Sequence, residues 1–285
     1  MKLRFTKMHG IGNDYIYFNA FDQQIDDPAE LAARLSDRRF GIGGDGIILI
    51  CPSEIADAKM RMFNEDGSEG KMCGNGVRCV AKYLYDYALV PEDQTTVTIE
   101  TLSGVKTIEL TVENGETVAA KVDMGAAILD PKEIPVIFDG ESMIAQPLEV
   151  DGTTYTVTAV SMGNPHCVTF VDDVDAIGIE KIGPLFEHHP AFPDRVNTEF
   201  VKVIDVHTLQ MRVWERGSGE TWACGTGACA TVAAACLNGY CKKGEDVTVH
   251  LRGGDLVIRY TDDTVIMTGP ATTVFEGTIE LGVRS

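Results

Sequence analysis

The chain has 285 residues, 44% of them apolar, which is enough for one large domain or two of ordinary size, each with its own core. Its formal net charge of −19 argues against nucleic acid and against an anionic membrane surface as partners, because both reward clustered Lys and Arg. The opening MKLRFTKMHG has no apolar run long enough for a signal peptide, and no stretch approaches the ~20 residues of a membrane span, so a cytoplasmic chain is expected.

Taken in order, residues 3–8 alternate as a short strand does. A helix is predicted over 28–36, opened by Asp27 and Pro28. Residues 47–51 and 59–63 read as strands bounded by Gly and Asp-Gly turns. Val77, Val80, Ala81, Leu84 and Tyr85 give a helical spacing over 75–88. Residues 95–101 and 105–112 form a predicted hairpin about Ser103-Gly104, with a further turn at Asn114-Gly115. In the second half, 209–214 is a predicted strand and 226–238 an Ala-rich helix. Residues 246–251 and 255–260 make a hairpin about Gly253-Gly254. A strand near 273–281 is expected to return to the first domain.

The two halves repeat each other. Cys73-Gly74-Asn75-Gly76 matches Cys224-Gly225-Thr226-Gly227 at an offset of 151 (224 − 73). Met60-Arg61-Met62-Phe63 matches Met211-Arg212-Val213-Trp214, and Gly12-Asn13 matches Gly163-Asn164, at the same offset. Val97-Thr98-Ile99 matches Val247-Thr248-Val249 one residue short of it. An internal match in this order indicates two related domains. The expected architecture is therefore α+β: two homologous domains related by a pseudo-twofold axis, each a mostly antiparallel sheet barrel around a central helix. The first covers 1–122, with a C-terminal strand over 273–285 pairing back, and the second covers 123–272. The junction falls near Val122–Pro131.

The eight cysteines stand at 51, 73, 79, 167, 224, 229, 236 and 241. In a cytoplasmic chain they should be reduced, and none has the CxxC spacing of a structural zinc site, so no metal is expected. Six read as small buried hydrophobes. Cys73 and Cys224 differ, since each precedes a helix inside Cys-Gly-x-Gly. A helix N-terminus carries unpaired N–H groups and roughly +0.5 charge. A thiol there can have its pKa lowered, and the glycines let backbone N–H groups approach a carboxylate. Two such thiols facing each other across a domain cleft suit inversion of a stereocentre: one removes a proton from one face and the other delivers one to the opposite face. The helix ends would stabilise the charge that develops on the substrate carboxylate. No lysine context suggests pyridoxal, so no cofactor is expected.

Positions where the repeat breaks point to the substrate. Asn64-Glu65 becomes Glu215-Arg216, whose fork and carboxylate suit an amino-acid group, although a solvated pair at a strand end would look the same. Asn13, Asn64, Asn164 and Asn197 recur near Gly or strand ends, where asparagine is also an ordinary turn residue. His166, in SMGNPHCV, either tunes a thiol or is a satisfied structural histidine.

KMHGIGNDYIYFN, RRFGIGGDGIILI, FNEDGSEGKMCGNGVRC, SMGNPHCV, RVNTEF and ERGSGETWACGTGACA together resemble the ordered motif set of the diaminopimelate epimerase family. They run from residue 7 to residue 230, and the C-terminal RGGDLVI also fits. The Cys motifs alone are shared with proline racemase-type enzymes. The resemblance implies interconversion of L,L- and meso-diaminopimelate, a step toward lysine and peptidoglycan, with a small-molecule amino-acid substrate and no cofactor. It implies Cys73 and Cys224 as the two bases, with His166 and Glu215 assisting as catalytic groups. Gly74, Asn75, Gly225 and Thr226 would present N–H groups to the reacting carboxylate. Asn64, Asn197 and Arg216 would hold the distal end, Glu215 would lie near an ammonium, and Asn13 and Asn164 would line the pocket. Gly46 departs from the family, where some members carry Gln. A homodimer is compatible with the sequence, which does not set the oligomeric state. Two other classes stay open: a racemase for a single-ended amino acid such as proline or histidine, and a thiol-redox or amino-acid-binding protein without catalysis.

Overall fold

The computed structural model describes residues 2–281. The chain divides into two compact units, one built from residues 1–122 and 269–285, the other from Asp123–Thr268. Residues 282–285 of the expected C-terminal strand lie outside the described residues.

In the first unit β1 (Lys2–Gly10) pairs antiparallel with β2 (Asn13–Asn19), which lies parallel to β3 (Gly46–Cys51). Helix α1 (Pro28–Leu35) fills the crossover between β2 and β3; the Asp27 side chain caps it by accepting from Glu30 N at 3.0 Å. Strand β3 pairs antiparallel with β4 (Ala58–Asn64), followed by the two-residue β5 (Glu69–Gly70). Then come α2 (Gly74–Asp86) and the meander β6 (Thr96–Thr101), β7 (Gly104–Glu113) and β8 (Glu116–Asp123). The apolar run Ile47–Ile50 is buried on both faces, as a strand with covered sides and a parallel neighbour requires. Strands β1, β2, β4, β6 and β7 all touch α2. That central helix is buried from Gly74 to Leu84, including Arg78 and Lys82. Arg78 donates to Gly74 O, to Asn75 Oδ1 and to Pro270 O. Lys82 pairs with Asp86 and donates to Thr117 O at 2.7 Å.

The second unit runs through β9 (Gln146–Val150), β10 (Thr153–Ser161), β11 (Pro165–Phe170), α3 (Ile179–Glu187), β12 (Asn197–Asp205), β13 (Thr208–Glu215), β14 (Gly219–Thr221), α4 (Gly225–Leu237), β15 (Asp246–Leu251), β16 (Gly254–Tyr260) and β17 (Val265–Gly269). The same pattern of partners recurs: β11 is parallel to β12, β12 antiparallel to β13, and β13 parallel to β15. Helices α1 and α3 open at 28 and 179, and α2 and α4 at 74 and 225, each 151 residues apart. Helix α4 has almost no polar side, because strands β10, β11, β12, β13, β15 and β16 surround it. A last strand, β18 (Thr272–Glu280), pairs antiparallel with β1 in the first unit, from Lys2↔Glu280 to His9↔Thr272. None of the helices among the described residues is long and apolar enough to cross a membrane.

The predicted helices at 28, 75 and 226 and both hairpins form within a residue or two of their expected bounds. The sequence reading lacked α3, whose first turn has no side-chain cap and which contains Gly183 and Pro184. Gly183 is required by packing, since a Cβ there would stand 2.4 Å from the Trp214 ring. Below this helix Phe186 meets Tyr155 and Phe200 edge-on, at centroid distances of 5.0 and 5.5 Å. Phe186 and Phe200 belong to the core of the second unit, and Tyr155 packs against it. Phe186→Ala should destabilise that unit by about 3–5 kcal/mol, read as a lower urea midpoint of the Trp214 fluorescence transition.

Candidate active site

Each central helix begins on a cysteine in extended conformation whose own sulfur is the cap. Cys73 (φ −133, ψ 117) accepts from Gly76 N and Cys224 (φ −120, ψ 106) from Gly227 N, both at 3.3 Å. Sulfur is a weak acceptor and a long one, so this cap leaves the thiol polarised toward the helix end. The neighbouring N–H groups of Gly74, Asn75, Gly225 and Thr226 belong to the first turn, where a helix has no preceding turn of carbonyls to receive them.

At the first of these ends, Cys73 is half-buried and donates to Asn13 Oδ1 at 3.2 Å. Asn75 Nδ2 donates to the same oxygen at 3.3 Å. Asn13 can offer that oxygen because its Nδ2 is held by Asp45 Oδ2 at 2.7 Å. Behind Asp45 lies an ionic network in which Arg38 bridges Asp45 and Asp14, and the buried Lys7 pairs with Asp14 at 2.5 Å and donates to Gly43 O. Burial, and then the charge of Asp14, push the Asp45 carboxyl above its usual range. For Asp14 burial acts in the same direction, but hydrogen bonds from Arg38 and Lys7 outweigh it and hold the carboxyl below that range. Asn64 ends β4 opposite Gly46 and donates to Ser68 Oγ at 3.0 Å; it shares no hydrogen bond with Cys73. A Cβ on Gly46 would stand 2.1 Å from Phe63 O and 2.9 Å from the Tyr15 ring, so the departure from Gln at this position is built into the backbone.

At the second end Cys224 is buried, beside Thr226 Oγ1 at 3.6 Å. Asn164 Nδ2 donates to Thr226 Oγ1 at 3.3 Å, while Asn164 Oδ1 lies 3.1 Å from His166 Nε2. His166 Nδ1 lies 2.7 Å from Glu199 Oε1, and both residues are fully buried. Glu215 accepts from the Thr221 hydroxyl. Its carboxyl is raised by burial, against the Thr221 hydrogen bond and the nearby His166, which lower it. The Cys224 thiol is also pushed well up, first by burial and then by the Glu215 and Glu199 carboxylates, against Thr226 and the Gly227 N–H. The expectation that a helix end lowers the thiol therefore does not hold for Cys224: desolvation and two carboxylates outweigh it. Asn197 is buried, donating to Pro165 O at 3.1 Å and accepting from Arg216 N at 2.9 Å. The exposed Arg216 side chain rests on Asp194 O at 3.0 Å.

Asp45, Glu199 and Arg78 were absent from the residues singled out in the sequence. Asp45 lay in plain view in GGDG, and Glu199 was signalled by a carboxylate inside the otherwise unchargeable strand Thr198–Val201. All eight cysteines are free thiols.

Two α+β units, each with a cysteine capping its buried central helix, define the class. Solved structures of the same fold include a Bacillus anthracis phenazine biosynthesis protein of the PhzF family. It has a TM-score of 0.73 and 19% identity, covering 99% of this chain and 100% of that one. A hydroxyproline epimerase from Agrobacterium vitis has a TM-score of 0.70 and 13% identity, covering 98% and 91%. The profile described as Diaminopimelate epimerase matches residues 5–129 and 158–274. The diaminopimelate epimerase of Acetivibrio thermocellus is 56% identical over 281 residues, 98% of this chain and 99% of that protein. That of Bacillus cereus is 53% identical over 285 residues, 99% and 98% of the two chains. The chain belongs to the diaminopimelate epimerase family.

The ionic network behind Cys73 has a pH signature. The folded-state pKa of Asp14 lies below its unfolded value, so its contribution is fully present above the ordinary carboxylate range of about 3.9 and is lost as pH falls through the lowered value. Asp14→Asn should lower the melting temperature at pH 7 and converge on the parent protein in acid. A melting difference that does not change with pH would count against this. At Gly46 the backbone contacts predict that Gly46→Gln costs about 1–3 kcal/mol, measured by urea unfolding.

Proposed function

We propose that this chain interconverts L,L- and meso-diaminopimelate by carrying one proton from one face of the α-carbon to the other between two thiols, without a cofactor. The observation that carries the mechanism is the matching cap, a sulfur 3.3 Å from the third N–H of its own helix in both units.

In the proposed reaction one cysteine enters as thiolate and takes the α-proton. The C–H electron pair moves into the α-carbon and its carboxylate, where first-turn N–H groups of Gly74, Asn75, Gly225 and Thr226 stabilise it. The other cysteine, still a thiol, donates its proton to the opposite face and becomes the thiolate. The product therefore leaves the two sulfurs with their protonation exchanged, and the reverse reaction starts from that state. The burial and carboxylates that raise Cys224 suit it to start one direction as the acid. The reaction requires both sulfurs to reach one carbon.

Asn13 and Asn164 line the reacting end in this reading, with His166 assisting the thiol environment. Asn64, Asn197 and Arg216 bind the distal amino-acid end, and Glu215 accepts from an ammonium. Arg216 gives up a single carbonyl contact, on Asp194, to take a carboxylate with both arms of its fork. The two units are read as copies of one repeat, and a cytoplasmic setting keeps the thiols reduced. A homodimer is compatible with the same reading.

The decisive measurement follows α-proton exchange by NMR when the reduced protein meets L,L-diaminopimelate in deuterated water, with stereoisomers resolved by chiral chromatography. Deuterium should enter with inversion. Cys73→Ala and Cys224→Ala should each lose on the order of 10²–10⁴-fold in turnover. Exchange that survives in either variant would sink the two-thiol mechanism. A protein inert toward diaminopimelate but active on a single-ended amino acid would move it to another racemase.

A further inference from the structure

The repeat places different residues beneath the two thiols. Where the first unit has Tyr15 and Ile48, the second has His166 and Glu199, each 151 positions on. Both helix starts press on these positions: a Cβ on Gly76 would stand 2.7 Å from Ile48 Cδ1, and one on Gly227 2.7 Å from Glu199 Oε1 and 3.1 Å from Cys224 Sγ. An apolar contact in one unit is thus a carboxylate in the other, below the capping sulfur. Glu199 and His166 have no exposed surface, and Glu199 Oε2 has no hydrogen-bond partner among the described residues. Burying such a pair is costly, and apolar side chains of similar volume would serve stability as well or better, as Ile48 does in the first unit.

The hydrogen bonds show what the pair arranges. His166 Nδ1 lies 2.7 Å from Glu199 Oε1, and a carboxylate there accepts a hydrogen from the ring. Asn164 spends its Nδ2 on Thr226 Oγ1, so its Oδ1, an acceptor, faces His166 Nε2. Both ring nitrogens of His166 thus face acceptor oxygens, Glu199 Oε1 and Asn164 Oδ1. In the first unit the equivalent Asn13 is turned the other way. Its Nδ2 goes to Asp45 and its Oδ1 takes the hydrogen of Cys73. One asparagine presents an oxygen to its thiol. The other presents an N–H₂ to the threonine beside its thiol, which leaves the Thr226 hydroxyl hydrogen available to Cys224 sulfur at 3.6 Å.

We propose that Glu199 is a positioning residue for Cys224: by holding His166 as a donor on both sides it fixes Asn164 with its N–H₂ toward Thr226, so that a hydroxyl hydrogen meets the sulfur when it becomes a thiolate. Glu199 has its hydrogen bond to His166 and acts through His166, Asn164 and Thr226. The proposal rests on the two-thiol reading.

The test combines a spectroscopic and a kinetic arm. In the wild-type protein at pH 7, ¹⁵N-edited NMR of the histidine rings, assigned with His166→Gln, should show both His166 nitrogens protonated. Glu199→Gln, which keeps the size and one acceptor but not the charge, should leave one nitrogen bare. It should lower kcat roughly tenfold or more, short of the ~10²–10⁴-fold of a direct acid or base, with KM for diaminopimelate little changed. Because Glu199 works through His166, adding Glu199→Gln to His166→Gln should cost little further, whereas independent roles would multiply. A singly protonated His166 in the wild type, an unchanged kcat in Glu199→Gln, or multiplying losses would each overturn the proposal. Should Glu199→Gln fail to fold, the wild-type spectrum still decides. A wild-type protein inert toward diaminopimelate would remove the proposed function, while the state of His166 would still be read.

Discussion

The structure depends on a cysteine sulfur standing where a helix usually has an oxygen. Ser, Thr, Asp and Asn cap helices well because a short side-chain oxygen reaches the N–H two or three residues ahead. Sulfur does this at 3.3 Å in both units, with a weaker bond. The helix behind it needs little help from its cap, because it is held by burial. Gly74–Leu84 in one unit and most of Gly225–Ala235 in the other are enclosed by strands. Stability supplied by the sheet frees the cap position for a thiol. The strand order then brings polar side chains to the same end. In the second unit β12 starts at Asn197 and β13 ends at Glu215, because the two are antiparallel neighbours. In the first, β3 starts at Gly46 and β4 ends at Asn64 for the same reason.

Buried charge is placed differently in the two central layers. In the first unit the helix itself carries some, where Arg78 and Lys82 replace the apolar positions that α4 fills with cysteine and alanine. Arg78 joins three separate points, Gly74 O, Asn75 Oδ1 and Pro270 O, and so ties the first turn of α2 to the segment that leads into β18. Loss of one partner of such a group leaves an uncompensated charge, which is why these contacts fix geometry more than they add stability. In the second unit α4 has no charged residue, and the buried pair beneath its start, His166 and Glu199, comes from β11 and β12. The first turn of the central helix thus meets the Ile48 side chain in one unit and the Glu199 carboxylate in the other.

Much of this was legible in the sequence. Asp27-Pro28 announced α1, hydrophobic spacing announced α2, and Ser103-Gly104 and Gly253-Gly254 announced two hairpins, since each signal is local and its physics acts within a few residues. The repeat marked both thiols before any coordinates. Helix α3 was not legible, because Gly183 and Pro184 break its pattern and only the Trp214 ring explains the glycine. The burial of Thr198 and Glu199 was also hidden, since a strand with polar residues facing inward does not alternate. Nor could the sequence reveal that Asp45 holds Asn13, as that contact spans 32 residues. The raised Cys224 thiol followed first from burial and then from the carboxylates that β12 and β13 contribute, whereas the local motif pointed the other way.

A repeat supplies two equivalent thiols, but the carbon between them in the proposed reaction is not symmetric. Its carboxylate can be shared by two helix ends, whereas its amino group and side chain occupy places that a twofold axis would exchange. The surroundings of the two sulfurs must then differ even though their caps do not. The structure has this difference in the amide pair: Asn13 is turned by Asp45 to accept from Cys73, and Asn164 is turned by His166 to donate toward Thr226. An amide has a donor and an acceptor of nearly equal size, so turning it over changes what a thiol meets without changing the packing. Sequence repeats can conserve the asparagine while the orienting acid diverges, as Asp45 and Glu199 do at non-equivalent positions. In the proposed reaction, that allows a repeated fold to give two chemically distinct proton carriers while keeping the sheet and helix that hold each in place.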